Sequence, residues 1–260
     1  MSAFLIVEDD ALHRDFLRDV LEHSDIDCTA VIEADDGDAA IKLSRHHDLK
    51  GVVMDLQMPK VTGVQAARVI WAEKPSLPIL FWSNYADEAY VRGITKIVPS
   101  STTYGYLLKT SSKERLRRSM QCVFLEGQNI VDREIRGVQQ RGSNRADGLS
   151  EAEYEVLLDI AIGLTDHAIA VRRNISIRSV QGRLQQLYAK LGSLDGSATD
   201  GHASLYNSRT RSIAVALNLR LINSKSLEAA EQEYRRWAER ERARLIYSGQ
   251  GVSRPPFPSP

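Results

Sequence analysis

Residues 51–63 read GVVMDLQMPKVTG, and the aspartate inside this stretch decides how the chain folds. Asp55 closes an apolar run with the composition of a buried strand. Taking an ionised carboxylate out of water is costly unless it is paired, hydrogen-bonded or bound to a metal. A carboxylate at this place therefore demands a cation, and the sequence on either side supplies candidates.

The same pattern recurs outward from Asp55. Residues 4–7 form a short apolar run, followed by Leu12, Phe16, Leu17, Val20 and Leu21 at helical spacing. Further strands are predicted over 28–32, 52–54, 79–82 and 104–108, with helices near 38–43 and 64–72. Ser111 with Glu114 reads as a capping box that opens a last helix, to about Phe124. Five strand–helix units predict an α/β fold, a doubly wound five-stranded parallel sheet over residues 1–125, with ligands at the carboxyl ends of the strands. Glu8 and Asp9 follow strand one, Asp55 ends strand three, Ser83 ends strand four and Lys109 ends strand five. Carboxylates clustered on one rim repel one another. A hard divalent cation such as Mg²⁺, which takes oxygen ligands and keeps waters for an incoming phosphate, is an economical way to hold them. Lys109 can neutralise an anion, and Ser83 can donate to one.

Composition bounds the rest. The chain has 260 residues, long enough for two domains, with 43% hydrophobic and 26% charged residues, as in an ordinary soluble protein. The formal net charge is zero, yet residues 1–125 carry 15 Lys/Arg against 18 Asp/Glu and residues 149–260 carry 15 against 12. Cys28 and Cys122 are too few for a disulfide framework or a metal knuckle. The opening MSAFLIVEDD is neither a signal peptide nor a membrane span, so a cytoplasmic protein with no membrane partner is expected.

IVEDD, MDLQMPKVTG, FWSNY and GYLLK together resemble the receiver domains of two-component response regulators, over about residues 1–125. The resemblance implies that Asp55 accepts a phosphoryl group from a histidine kinase. It implies Mg²⁺ held by Asp9, Asp55 and the backbone carbonyl of Gln57, with Glu8 as an acidic neighbour acting through water. Ser83 and Lys109 would bind the phosphoryl oxygens, and Tyr106 stands where family members carry an aromatic that swings inward on activation. Between Ser83 and Lys109 the segment is longer than the family pattern, and Gly93 and Pro99 predict a short or remodelled fourth helix.

Residues 126–148 are polar with four glycines and read as a linker, with Ile130, Ile135 and Val138 able to form a turn or two of helix against the preceding domain. Beyond it only helices are predicted. Ser150 and Glu153 make a capping box before Val156, Leu157, Ile160 and Ala161. Thr165 caps a short second helix, and Ser176 opens a third, with Val180, Leu184, Leu187 and Leu191 at helical spacing. This order is the helix-turn-helix plan. Residues 149–192 resemble the LuxR-type DNA-binding domain, which implies a recognition helix at about 177–190 that contacts double-stranded DNA. Arg178, Gln181, Arg183 and Gln185 would reach bases or phosphates, with Lys190 near the DNA backbone. Departures from the family are Gln181 for a usual lysine, Gly182 within the recognition helix, and Arg173 for a usual leucine. They predict few phosphate contacts.

A Gly/Ser/Asp-rich loop, 193–208, precedes a helix with Ile213, Ala216, Leu217 and Leu221 on one face, which in relatives forms the dimer contact. This domain is expected over 149–223, followed by an added helix over 224–247 with a thin stripe of Leu227, Ala230, Tyr234, Trp237 and Leu245. The tail 248–260 is proline-rich and expected to be disordered. The sequence thus predicts a non-enzymatic, homodimeric, phosphorylation-controlled transcription regulator. The competing expectation is a constitutively dimeric or phosphorylation-independent adaptor that binds DNA weakly.

Overall fold

A computed structural model describes residues 3–143, 148–193 and 206–247, and divides the chain into two compact units, Met1–Arg141 and Gly142–Pro260. The first unit holds six parallel strands in the order β2-β1-β3-β4-β5-β6: β1 (Ala3–Val7), β2 (Ala30–Ala34), β3 (Leu49–Met54), β4 (Ile79–Ser83), β5 (Tyr104–Leu108) and β6 (Ile130–Val131). One face carries α1 (Ala11–Glu22) and α5 (Lys113–Phe124) over a core of Phe4, Ile6, Leu17, Val53, Leu80, Leu107 and Leu116. The other carries α2 (Gly37–His46), α3 (Gly63–Glu73) and α4 (Glu88–Ile97) over Leu5, Val52, Met54, Ala67, Ile70, Phe81 and Tyr106. The inner strands β1, β3, β4 and β5, buried on both faces, read as apolar runs, which is why they were visible in the sequence. The strand order reverses direction between β1 and β3, placing the Glu8, Asp9 and Asp55 ends side by side.

Four expectations are corrected. The sheet has six strands rather than five, because Ile130 and Val131 pair with Gly105 and Tyr106. Asn129 Oδ1 accepts from Tyr104 N at 2.8 Å, and Asp132 N donates to Tyr106 O at 3.0 Å, fixing this edge. The expected linker accordingly begins later: α6 (Arg133–Ser143) extends the first unit, with Ile135 and Val138 buried in its core. The packing of Ile135 and Val138 is that expected of a helical turn or two at this place, whereas the two-residue run Ile130–Val131 is too short to show strand periodicity. The fourth helix is also regular, running ten residues through Gly93, whose missing side chain lets Val64 of α3 approach. The helix ends before Pro99, so the extra residues lie in the loop to β5. Finally, α5 is capped by Ser112, which accepts from Arg115 N, while Ser111 donates to Asp132.

The second unit contains α7 (Glu151–Ala161), α8 (Asp166–Arg173), α9 (Ile177–Lys190), α10 (Ser208–Asn218) and α11 (Ser224–Tyr247). The Ser150–Glu153 capping box and the Thr165 and Ser176 caps all form. Asn174, in the left-handed region at φ 51°, turns α8 into α9. Val156, Leu157, Ile160, Ile169, Val180 and Leu187 build the core, and Leu227 and Tyr234 of α11 pack against it. The thin stripe of α11 therefore serves its own domain. Residues 194–205 of the predicted loop, the side chain of Leu245 and the proline-rich tail lie outside the described residues.

Candidate functional site

Local chemistry shapes the rim of the sheet. After Asp55 the chain turns back on itself through Lys60, which holds a left-handed φ of 60° and pairs with Asp36. Gly63 then passes so close that a Cβ there would lie 2.0 Å from the Asp55 carbonyl oxygen, so this turn admits only glycine. Gly63 N donates to Leu56 O at 3.0 Å and Thr62 caps α3. The motif's spacing is thus the geometry of a loop that holds Asp55 at the strand end.

Around Asp55 the rim residues converge. Ligand oxygens of Glu8, Asp9 and Asp55 all lie within 4.8 Å of one another. Asp55 Oδ1 accepts from Leu56 N at 2.6 Å and Gln57 N at 3.4 Å, and Asp55 Oδ2 accepts from Lys109 Nζ at 3.0 Å. Lys109 also donates to Glu8 Oε1 at 2.9 Å. Glu8 and Asp55 are buried while Asp9 is exposed. Burial pushes the Glu8 carboxyl above its ordinary pKa, the charge of Asp55 adds to this, and the Lys109 hydrogen bond opposes it. For Lys109 burial disfavours the charge, but the bond to Glu8 and the attraction of both carboxylates outweigh it and raise its pKa. Ser83 is buried at the end of β4, its carbonyl accepting from Lys109 N at 2.9 Å and its Oγ from Tyr85 N at 3.4 Å.

The side chains of Glu8, Asp9, Asp55 and Lys109 are therefore brought together, and Ser83 adjoins them through its backbone carbonyl, which accepts from Lys109 N. Three carboxylates facing one ammonium leave net negative charge and oxygen donors only, a set that fits a hard divalent cation such as Mg²⁺. Tyr106 points inward, almost fully buried, and desolvation raises its phenol well above the ordinary range.

His13 and Trp82 were missed. His13 Nδ1 stands 3.4 Å from Lys109 Nζ and 3.5 Å from Glu8 Oε1, and its ring packs edge-on against Trp82. The Lys109 ammonium sits 5.1 Å from the Trp82 ring centroid. The signal for His13 was Asp10, which caps α1 and accepts from His13 N, so that His13 stands in the first turn after the rim residues Glu8 and Asp9. Asp132 is a further support: it accepts from Leu108 N at 2.8 Å and from Arg115, anchoring the strand that ends in Lys109.

In the second unit, Arg178, Gln181 and Gln185 lie on the exposed face of α9 and Arg183 is half-buried. Lys190 is placed otherwise. It donates to Gly148 O at 3.0 Å and Glu153 Oε2 at 2.8 Å, binding the start of the domain to the end of α9 instead of projecting outward. Arg173 is explained by Asp159, a fully buried carboxylate that accepts from Arg173 Nε at 2.8 Å and Arg172 Nη1 at 2.7 Å. The expected dimer face is mostly interior. Ala216 is buried and Ile213 and Leu221 pack partly against the core, leaving Leu217 exposed, because a small domain turns its one apolar helical stripe inward. No helix among the described residues is long and apolar enough to cross a membrane.

Comparison with known proteins agrees with this geometry. Residues 4–121 match the response regulator receiver domain family. The transcriptional regulatory protein YdfI of Bacillus subtilis is 32% identical over 224 residues, covering 84% of this chain and 96% of its own. The probable transcriptional regulatory protein NarL of Mycobacterium tuberculosis is 30% identical over 177 residues, 66% of this chain and 79% of its own. A solved structure of two RcsB dimers bound to two parallel DNAs shares the fold, with TM-score 0.54 and 21% identity over 84% of this chain and 98% of that one. An acidic rim of receiver geometry, followed by a helix-turn-helix and matched by a relative along 96% of its length, identifies this chain as a member of the two-component response regulators of the NarL/LuxR type.

Proposed function

We propose that this regulator is switched by phosphorylation of Asp55 and acts as a dimer on double-stranded DNA. The observation that carries the reading is Lys109 held between Asp55 and Glu8 beside Asp9, a cation and an acidic cluster at one sheet rim. Asp55 is the nucleophile. Its carboxylate oxygen forms a bond to phosphorus while the P–N bond of a phosphohistidine on a histidine kinase breaks, the imidazole nitrogen leaving with the electron pair and taking a proton from water. Asp9, Asp55 and the Gln57 carbonyl would hold Mg²⁺, with Glu8 acting through water. When bound, the ion supplies charge neutralisation for the phosphoryl oxygens. Lys109 Nζ and the Ser83 hydroxyl donate to the same oxygens, which lowers the energy of the charge that develops on them.

In the second unit, α9 is the recognition helix, with Arg178, Gln181, Arg183 and Gln185 toward the groove. A dimer sets two such helices about one turn of DNA apart. The adaptor reading loses part of its motive, since α4 is regular and α11 packs on its own domain.

Sedimentation velocity with and without Mg²⁺ and beryllofluoride, on wild type and Asp55→Asn, tests the switch. A monomer-to-dimer shift in wild type alone supports it. Dimers in both proteins throughout would refute phosphorylation-controlled assembly and favour the constitutive form.

A further inference from the structure

Helix α9 contains one glycine that its own domain does not require. Glycine is the poorest helix former after proline. Other glycines answer to close neighbours or to a left-handed backbone: a Cβ at Gly63 would lie 2.0 Å from a backbone oxygen and one at Gly51 2.6 Å from the Phe124 ring, while Gly127, Gly163 and Gly192 hold positive φ. At Gly182 a Cβ would meet nothing within 4 Å among the described residues. The position is exposed, in the middle of a regular helix, and its φ is not left-handed. Among the described residues neither packing nor backbone conformation accounts for the glycine, and it leaves the α9 backbone bare on an exposed face.

The surroundings indicate what that is. Over its 14 residues α9 carries no acidic side chain, against two arginines, a lysine and three glutamines. Arg178, Gln181 and Gln185 flank Gly182 along an open groove that reaches Asn207 and the ion pair of Arg209 with Asp166. Arginine pairs with guanine edges, and glutamine pairs with the N6 and N7 of adenine. A helix comes closest to a partner where it has no side chain.

We propose that Gly182 is the close-approach point of α9 on duplex DNA. Base-pair edges in the major groove contact the helix backbone there, at a depth that lets Gln181 and Gln185 pair with adenines. This rests on the DNA-binding reading above and names the residue that sets its specificity.

The test uses the full chain with Mg²⁺ and beryllofluoride to enrich duplexes from a random pool. Wild type, Gly182→Ala and Gly182→Leu are then compared on the enriched duplex and on an unrelated duplex of equal length, across salt concentrations. Gly182→Ala is expected to melt at a higher temperature than wild type, yet bind the enriched duplex about tenfold more weakly, with Gly182→Leu weaker still. Affinity for the unrelated duplex and the salt slope stay unchanged, since no charge is altered. Undiminished binding of the enriched duplex by Gly182→Ala overturns the proposal. So does an equal loss on both duplexes, which would put the helix backbone away from the base edges. A wild-type protein that binds duplex but enriches no sequence refutes the proposal alone, and one that binds no duplex at all refutes the DNA-binding reading with it.

Discussion

The Tyr106 hydroxyl donates to the main-chain carbonyl of Tyr85 at 2.7 Å, tying the middle of β5 to the loop that follows Ser83. The phenol is buried against Phe81, so the hydrogen bond joins the loop to the core of the sheet. Tyr106→Phe keeps the ring and deletes the bond, leaving the Tyr85 carbonyl without this donor. A loss of about 1 kcal/mol in urea unfolding is expected. An unchanged midpoint would mean that the loop is held by other contacts.

Lys109 balances two buried carboxylates, so its removal should hurt the metal-free protein and sharpen its need for a cation. Lys109→Met is expected to lower Tm in the absence of metal and to gain more Tm on adding Mg²⁺ than wild type does, because binding to the folded state alone stabilises it. Its dimerisation response to beryllofluoride should be lost. An equal Mg²⁺-induced rise in both proteins would argue against the ion sharing this site.

Asp159 is fully buried between Arg172 and Arg173. Removing the carboxylate takes the buried partner from two guanidinium groups and leaves them only the more exposed Glu233 and Glu155, and Asp159→Ala is expected to cost about 3 kcal/mol in urea unfolding of the second unit. Arg173→Leu, which restores the family's usual residue, should cost clearly less, since Arg172 still pairs with Asp159. Equal costs would mean that Arg172 contributes nothing.

Glu153 carries a pH dependence. Burial raises its pKa, but the hydrogen bonds from Lys190 and from Ser150 outweigh this and hold it below the ordinary 4.5. A carboxyl depressed in the folded state contributes stability that is present above the unfolded pKa and lost as pH falls through the folded one. Thermal melts should therefore show the second unit losing stability below about pH 4.5. Lys190→Met, which removes the largest lowering contact, should flatten that dependence. A wild-type melting temperature that holds constant through this range would contradict the assignment.

Because Lys190 is engaged with Glu153 and Gly148, few cations on α9 remain for phosphates. The log–log salt slope of duplex binding should be shallower than about −6, and Lys190→Met should leave it unchanged. A steeper slope would reveal phosphate contacts from outside α9.

Much of the site was legible beforehand because it consists of strand ends. A buried parallel strand announces itself as an apolar run, and the first polar residue beyond it lies on the rim, which located Glu8, Asp9, Asp55, Ser83 and Lys109. The helix caps were equally legible, since Ser150, Thr165 and Ser176 each bond to a backbone N–H three residues on. One cap was misplaced by a residue, because Ser111 and Ser112 are adjacent and only the fold, through Asp132, assigns Ser111 elsewhere.

The sequence by itself determined the α/β rim, the helix-turn-helix order and the family, because these depend on periodicity and on motifs a few residues long. The tertiary structure alone decided that Ile130 and Val131 add a sixth strand, that Lys190 faces its own domain, that Ala216 is core rather than dimer surface, and that Arg173 answers Asp159. The reason is common to all four. A charge or an apolar stripe has the same local sequence whether it meets solvent, a partner or its own fold, and pairs such as Glu8 with Lys109, 101 residues apart, exist only once the chain has closed on itself.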